Sequence, residues 1–268
     1  MNKRELLKNW LEEERVAHIH GWDFSHIQGK FDEENDLPWD YEMLVKYYLK
    51  PDHELLDMDT GGGEFLLSLK HPYEKTSATE AYGPNVQLCE KVLSPLGITF
   101  KEADCTGELP FADSTFDLVI NRHGSYNPEE IYRVLKPDGI FITEQVGAEN
   151  DRDLVAQLLA IVPPMPFPEQ YLDIAVEKFE ETGFSIIEKQ ETFRPIKFWD
   201  VGALVWFAHI IEWEFPGFSV QGSLDQLYDL QEKLDKTGVI EGTIHRFLLV
   251  AKKINIKFLE RNVIWHSS

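Results

Sequence analysis

The chain predicts an α/β fold: a doubly wound, mostly parallel sheet of seven strands with helices on both faces. Three observations carry this. Short apolar runs near 54–58, 76–80, 97–102, 116–121 and 139–145 alternate with helix-like segments, the pattern of a covered parallel sheet. The first run, LLDM, leads into Asp59-Thr60-Gly61-Gly62-Gly63 and then into Phe65, Leu66, Leu67 and Leu69, which reads as a strand, a tight turn and a helix. At 268 residues and 43% hydrophobic content, the chain can bury one large core.

In chain order, residues 3–17 place Leu6, Leu7, Trp10 and Leu11 on one helical face. Residues 20–41 show no clean period and mix aromatics with turn formers. A short helix over 41–49 leads to the first strand. After the five-strand alternation, the proline-rich VPPMPFPEQ (162–170) interrupts the chain before a helix at about 169–182. FSIIEKQETF reads as a strand, 198–214 as an inserted helix, 223–236 as an amphipathic helix and HRFLLVAKK (245–253) as a closing strand. No internal repeat or linker stands out. The expected organisation is one domain, with an N-terminal helical cap over 1–40, a ligand-binding core over 41–147 and a substrate-side half with a helical insert over 148–268.

Composition limits the partners. Twenty-six basic residues against 47 acidic ones give a formal net charge of −21, which repels nucleic-acid phosphates and anionic membranes. Two cysteines, Cys89 and Cys105, make neither a disulfide framework nor a cysteine-rich zinc site. His18, His20 and His26 lack an acid or cysteine at ligand spacing, so no metal is expected. The N-terminus has no apolar core of a signal peptide. The most apolar stretch, VGALVWFAHII, falls short of the ~18 residues of a membrane span, so a cytoplasmic protein without a span is expected. Oligomeric state cannot be read.

The glycine turn after the first strand is where a nucleotide-like ligand meets the backbone, and an acid some 20 residues on, here Glu80, suits ribose hydroxyls. With Asp104-Cys105 at the next strand's corner, Leu109-Pro110-Phe111 with Phe116-Asp117, and Arg133 to Gly139, the chain resembles the class I S-adenosylmethionine-dependent methyltransferases. Its nearest branch in pattern is that of the quinone-biosynthesis C-methyltransferases. The resemblance covers roughly 40–147, and the end near 244–253 fits that family's last hairpin. It implies a Rossmann-like fold, S-adenosyl-L-methionine as cofactor, and a cofactor site built from Asp57, Asp59, Gly61, Gly63, Glu80, Asp104, Cys105 and Asn121. One position departs: Asp59 stands where the family's first loop glycine is expected.

Methyl transfer from a sulfonium is an in-line substitution that positioning accelerates, so no triad or metal cluster need appear. After the fourth strand, Asn121-Arg122-His123-Gly124-Ser125-Tyr126 forms the loop that would face the methyl group. His123 is the candidate general base, with local hydrogen bonding as the alternative. Asn121 and Tyr126 are candidates for orienting substrate or cofactor. Trp22, Asp23, Phe24 and His26 would either cap the cofactor mouth or pack on the core. Trp199, Trp206, Phe207, His209 and Trp213 suit a helix's core face or an apolar acceptor pocket. The leading function is methyl transfer to a small, uncharged or cationic, partly apolar acceptor. The alternatives are an RNA or protein methyltransferase, or a non-catalytic module that keeps the sheet.

Overall fold

The computed structural model describes residues 2–18, 23–33 and 36–254; His20 and Trp22 lie outside them. Its strands form one sheet of eight rather than seven. They are β1 (Phe31–Asp32), β2 (Leu55–Met58), β3 (Thr76–Glu80), β4 (Thr99–Glu102), β5 (Phe116–Arg122), β6 (Leu135–Val146), β7 (Phe184–Phe198) and β8 (Ile240–Lys253). The order is β1-β7-β8-β6-β5-β2-β3-β4. The pairs β2–β3, β2–β5, β3–β4 and β5–β6 are parallel, and β1 joins β7 antiparallel. The added strand is β1, two residues long and too short to show a period in sequence.

Helices α1 (Lys3–Val16), α2 (Tyr41–Tyr48), α3 (Glu64–Ser68), α4 (Gly83–Val92), α5 (Pro128–Val134), α6 (Arg152–Leu158), α7 (Leu172–Thr182), α8 (Val201–Ile210) and α9 (Leu224–Thr237) connect the strands. Local chemistry sets their starts. Asn2 and Glu5 make a capping box on α1, Asp40 accepts the Met43 amide at α2, and Asp200 accepts the Ala203 amide at α8. The inserted helix α8 is shorter than the 198–214 read from sequence. It buries Trp206 and Phe207, while Trp199 and Trp213 lie outside it and are exposed.

The chain divides into two compact units. One comprises Trp39–Gln145, Leu172–Gln190 and the chain from Phe247 on; the other comprises the chain up to Pro38, Val146–Tyr171 and Glu191–Arg246. Strands β7 and β8 run from one unit into the other. The second unit has its own core, in which Leu6 and Trp10 of α1 and Ile27 pack with Trp206, Phe207 and Leu227. Phe24 lies against Trp206 and Phe207, and His26 stacks on Trp206, so these residues of the N-terminal segment serve as packing. The first unit's core joins Leu56, Met58, Val119, Phe141, Phe179 and Phe247.

Within the first unit, the order β4-β3-β2-β5-β6 places the reversal of winding between β2 and β5. In open parallel sheets a ligand enters outside the carboxyl ends of the strands at such a switch point. Met58 is in register with Asn121, so the loops leaving β2 and β5 start at the same level.

Candidate active site

The residues of the expected cofactor site, with His123 and Tyr126, belong to the first unit, at or past the carboxyl ends of β2, β3, β4 and β5, whereas Phe24, His26, Trp199, Trp206, Phe207, His209 and Trp213 belong to the other. Asp57 is buried at the end of β2 and accepts the Thr60 hydroxyl at 2.6 Å. Burial, with repulsion from Asp59 and Glu80, raises its carboxyl to about 7. Asp59 takes a left-handed backbone, φ +53°, at the position where a glycine was expected. Aspartate tolerates that region better than most residues.

The Asp59 side chain reaches across the switch point. Burial raises its carboxyl to about 6, although the nearby Cys105 thiol and Ser125 amide favour its ionised form. A Cβ at residue 124 would come within 2.5 Å of its Oδ2, so Gly124 is the residue that leaves it room. Burial and the Asp59 charge push the Cys105 thiol up to about 12, and Cys105 also contacts the Thr79 hydroxyl at 3.2 Å. It is an uncharged donor facing a carboxylate.

Glu80, at the end of β3, is 6% exposed. Its Oε1 accepts the amides of Ala81 and Tyr82, both at 2.9 Å, and its Oε2 accepts the Gly61 amide at 2.9 Å. Asn85 Nδ2 also donates to Oε2, at 3.4 Å. These four donors match the roughly four acceptor sites of a carboxylate, and the long Asn85 contact is the one a hydroxyl would displace. These bonds also hold the glycine turn against β3. Gly63 has φ +86°, and a Cβ there would lie 2.8 Å from Leu93, so both the turn and its packing require glycine. Cys89 of α4 donates to the Gly61 carbonyl at 3.1 Å.

The other candidates are placed less directly. Asp104 is exposed at the corner after β4, where its Oδ1 accepts the Thr106 amide and hydroxyl. Asn121 is fully buried. Its amide bonds to the Met58 carbonyl at 3.2 Å, and its Oδ1 accepts Gln145 at 2.6 Å and Thr143 at 3.2 Å. Those bonds tie β5 to β2 and β6. Tyr126 packs on Phe141 and Phe179 in the core. His123 has φ +60°, and its amide donates to the Glu144 carbonyl at 2.8 Å.

Sequence reasoning missed Trp39, Tyr41 and Glu144. The Glu144 carboxylate is fully buried; it accepts Trp39 Nε1 at 2.5 Å and Arg122 Nε at 2.8 Å, and lies 3.6 Å from His123 Nε2. Tyr41 donates its hydroxyl to the Asn121 carbonyl at 3.0 Å, and the Arg122 guanidinium lies over its ring. The acid within the strand run FITEQ was the one available signal, because a charge in a buried strand needs partners.

A second motif resolves into structure rather than chemistry. Arg133 of α5 donates to the carbonyls of Leu109 (2.8 Å) and Phe111 (2.7 Å) and to the Glu130 carboxylate (2.7 Å), while Glu130 accepts the Leu109 amide. Arg133 therefore clips the Leu109-Pro110-Phe111 loop to α5.

The methyltransferase-domain family matches residues 56–143, about a third of the chain and all within the first unit. The chain carries an S-adenosylmethionine-dependent methyltransferase domain. Solved structures agree on the fold. A candidate methyltransferase from Bacillus halodurans C-125 is 18% identical with a TM-score of 0.56, covering 81% of this chain and 99% of that one. The YcgJ protein from Bacillus subtilis is 18% identical with a TM-score of 0.54, covering 80% and 97%. A functionally unknown protein from Deinococcus radiodurans R1 is 14% identical with a TM-score of 0.54, covering 92% and 99%. No curated protein sequence matches the chain.

The donor set fits the cofactor. Asp57, Asp59 and Glu80 gather carboxylates in a partly dry corner, and the charges acting on Asp57 and Asp59 are all negative. S-adenosylmethionine brings a sulfonium and an ammonium, the positive charges such a corner lacks.

Proposed function

We propose that the chain transfers the methyl group of S-adenosylmethionine to a small-molecule acceptor, with His123 as general base. The observation that carries this is the convergence of Asp57, Asp59 and Glu80 at the switch point, facing a loop that holds His123 in a left-handed conformation. Strained non-glycine residues of this kind concentrate at functional sites.

In this reading Glu80 binds the ribose hydroxyls in place of its long contact with Asn85. Asp59 and Asp57 lie toward the cationic methionyl end, Gly61 and Gly63 let the backbone approach, and Asp104 and Cys105 border the adenine. Asn121 acts indirectly, by fixing the ends of β2, β5 and β6. Bound there, the cofactor would supply an electrophilic methyl carbon with its sulfur as the leaving group. His123 takes the proton from the acceptor's hydroxyl or carbon acid onto a ring nitrogen, and the loop around it holds the acceptor in line.

The net charge of −21 favours a small uncharged or cationic acceptor over RNA. The Leu109-Pro110-Phe111 and Arg133 to Gly139 motifs support placement near the quinone-biosynthesis C-methyltransferases. Two free buried cysteines, with no described helix long and apolar enough to cross a membrane, support a cytoplasmic location.

The test is tritium transfer from S-[methyl-³H]adenosylmethionine into fractionated extract. The label is expected in the small-molecule fraction, and its loss in His123→Gln supports the base. Label in RNA or protein alone would overturn the acceptor class. Failure to bind either S-adenosylmethionine or its demethylated product would favour the non-catalytic alternative.

A further inference from the structure

We infer that Glu144 is a positioning residue for the loop after β5, holding Arg122 and the ring of His123 in place and setting the pH at which His123 titrates. The inference rests on the reading of His123 as the base. Side chains alternate along a strand, so Thr143 and Gln145 meet Asn121 on one face of β6 while Glu144 points to the other. There it is fully buried, and a buried carboxylate is tolerated only with close donors. Trp39 and Arg122 supply them, at 2.5 and 2.8 Å. The same residue's carbonyl accepts the His123 amide at 2.8 Å. Glu144 therefore grips the loop by main chain and side chain together, where His123 adopts φ +60°.

The electrostatics give a test that a merely structural role would not satisfy. His123 Nε2 lies 3.6 Å from Glu144 Oε1, and a nearby anion favours the charged imidazole. Arg122, the last residue of β5, opposes this. From α2 the Tyr41 ring lies under the Arg122 guanidinium, and the charge of Asp57 of β2 also acts on Tyr41. Glu144→Gln removes the anion and leaves the guanidinium, so it disfavours the charged ring. Arg122→Gln removes the guanidinium and leaves the anion, so it acts in the opposite direction.

The experiment is an NMR titration of the intact chain with ¹³C-labelled histidine, the His123 resonance being assigned by its loss in His123→Gln. The midpoint is expected to fall by about 0.5 pH or more in Glu144→Gln and to rise in Arg122→Gln, with Glu144→Asp close to the parent. Unmoved midpoints, or shifts of the same sign in the two neutral variants, would overturn the inference. If Glu144→Gln does not fold, Arg122→Gln decides alone: a midpoint above about 6.5, the value of an unperturbed imidazole, supports the contact with the remaining anion, and one at or below it overturns it. Shifts as expected, with His123→Gln still passing tritium into the small-molecule fraction, remove the base and leave the Glu144 contact standing. Unmoved midpoints with an inactive His123→Gln do the reverse.

Discussion

Cofactor affinity should climb with pH between 5.5 and 7.5, because the corner that receives the cation holds carboxyls that are partly protonated before it binds. Asp57 stands at about 7 and Asp59 at about 6, each raised first by burial. A cation against them favours the ionised forms, so binding expels their protons. A carboxyl at 7 that ionises fully in the complex gains about 25-fold in association over this range, and one at 6 adds about fourfold. The product, about 100-fold or ~2.7 kcal/mol, is the ceiling. At pH 6.5 the same values require release of about one proton. Titration calorimetry in buffers of different ionisation enthalpy counts that proton directly. Asp59→Asn removes one group and should cut the gain to about 25-fold. S-adenosylhomocysteine, without the sulfonium, should show a weaker pH dependence. Affinity independent of pH, with no proton released, would refute the assignment of Asp57 and Asp59 to the cationic end.

Glu80→Ala should stay folded and lose ~1–3 kcal/mol of cofactor affinity by calorimetry; part of that loss reflects the Gly61 amide left without its acceptor. Arg133→Ala should lower stability to denaturant by about 2–3 kcal/mol and expose the 104–113 segment to protease, since it breaks charge-assisted bonds to two carbonyls and to Glu130. Glu214 is buried, and burial raises its carboxyl from 4.5 to about 7. The folded chain thus keeps a proton that the unfolded chain releases. The stabilisation, at most ~3 kcal/mol, is complete below about pH 4.5 and is lost as pH rises through 7. Thermal unfolding of Glu214→Gln should accordingly be flatter between pH 5 and 8, with a higher midpoint than the parent at pH 8.

The alternation of strands and helices was legible because each buried strand is a short apolar run between turn formers. The glycine turn and Glu80 were legible because they are local to β2 and β3. Asp59 was visible as a departure, but its destination was not: Cys105, Gly124 and Ser125 come near it only once β5 pairs with one edge of β2, and β3, carrying β4, with the other. Glu144 was hidden for the same reason, its partner Trp39 standing 105 residues away along the chain. Arg133 was recognised as part of a motif, yet its work of clipping a loop to α5 depends on carbonyls that carry no sequence signal. The aromatic run of 199–213 divided where α8 ends. Trp206 and Phe207 lie within one helix and are buried, whereas Trp199 and Trp213 flank it in exposed positions.

The most direct measurement is a crystal structure of the chain with S-adenosylhomocysteine. The ribose hydroxyls should lie within hydrogen-bond distance of the Glu80 carboxylate, with the homocysteine end between Asp59 and the loop carrying His123. A ligand bound elsewhere, or in this cleft with its ribose away from Glu80, would contradict the site proposed here.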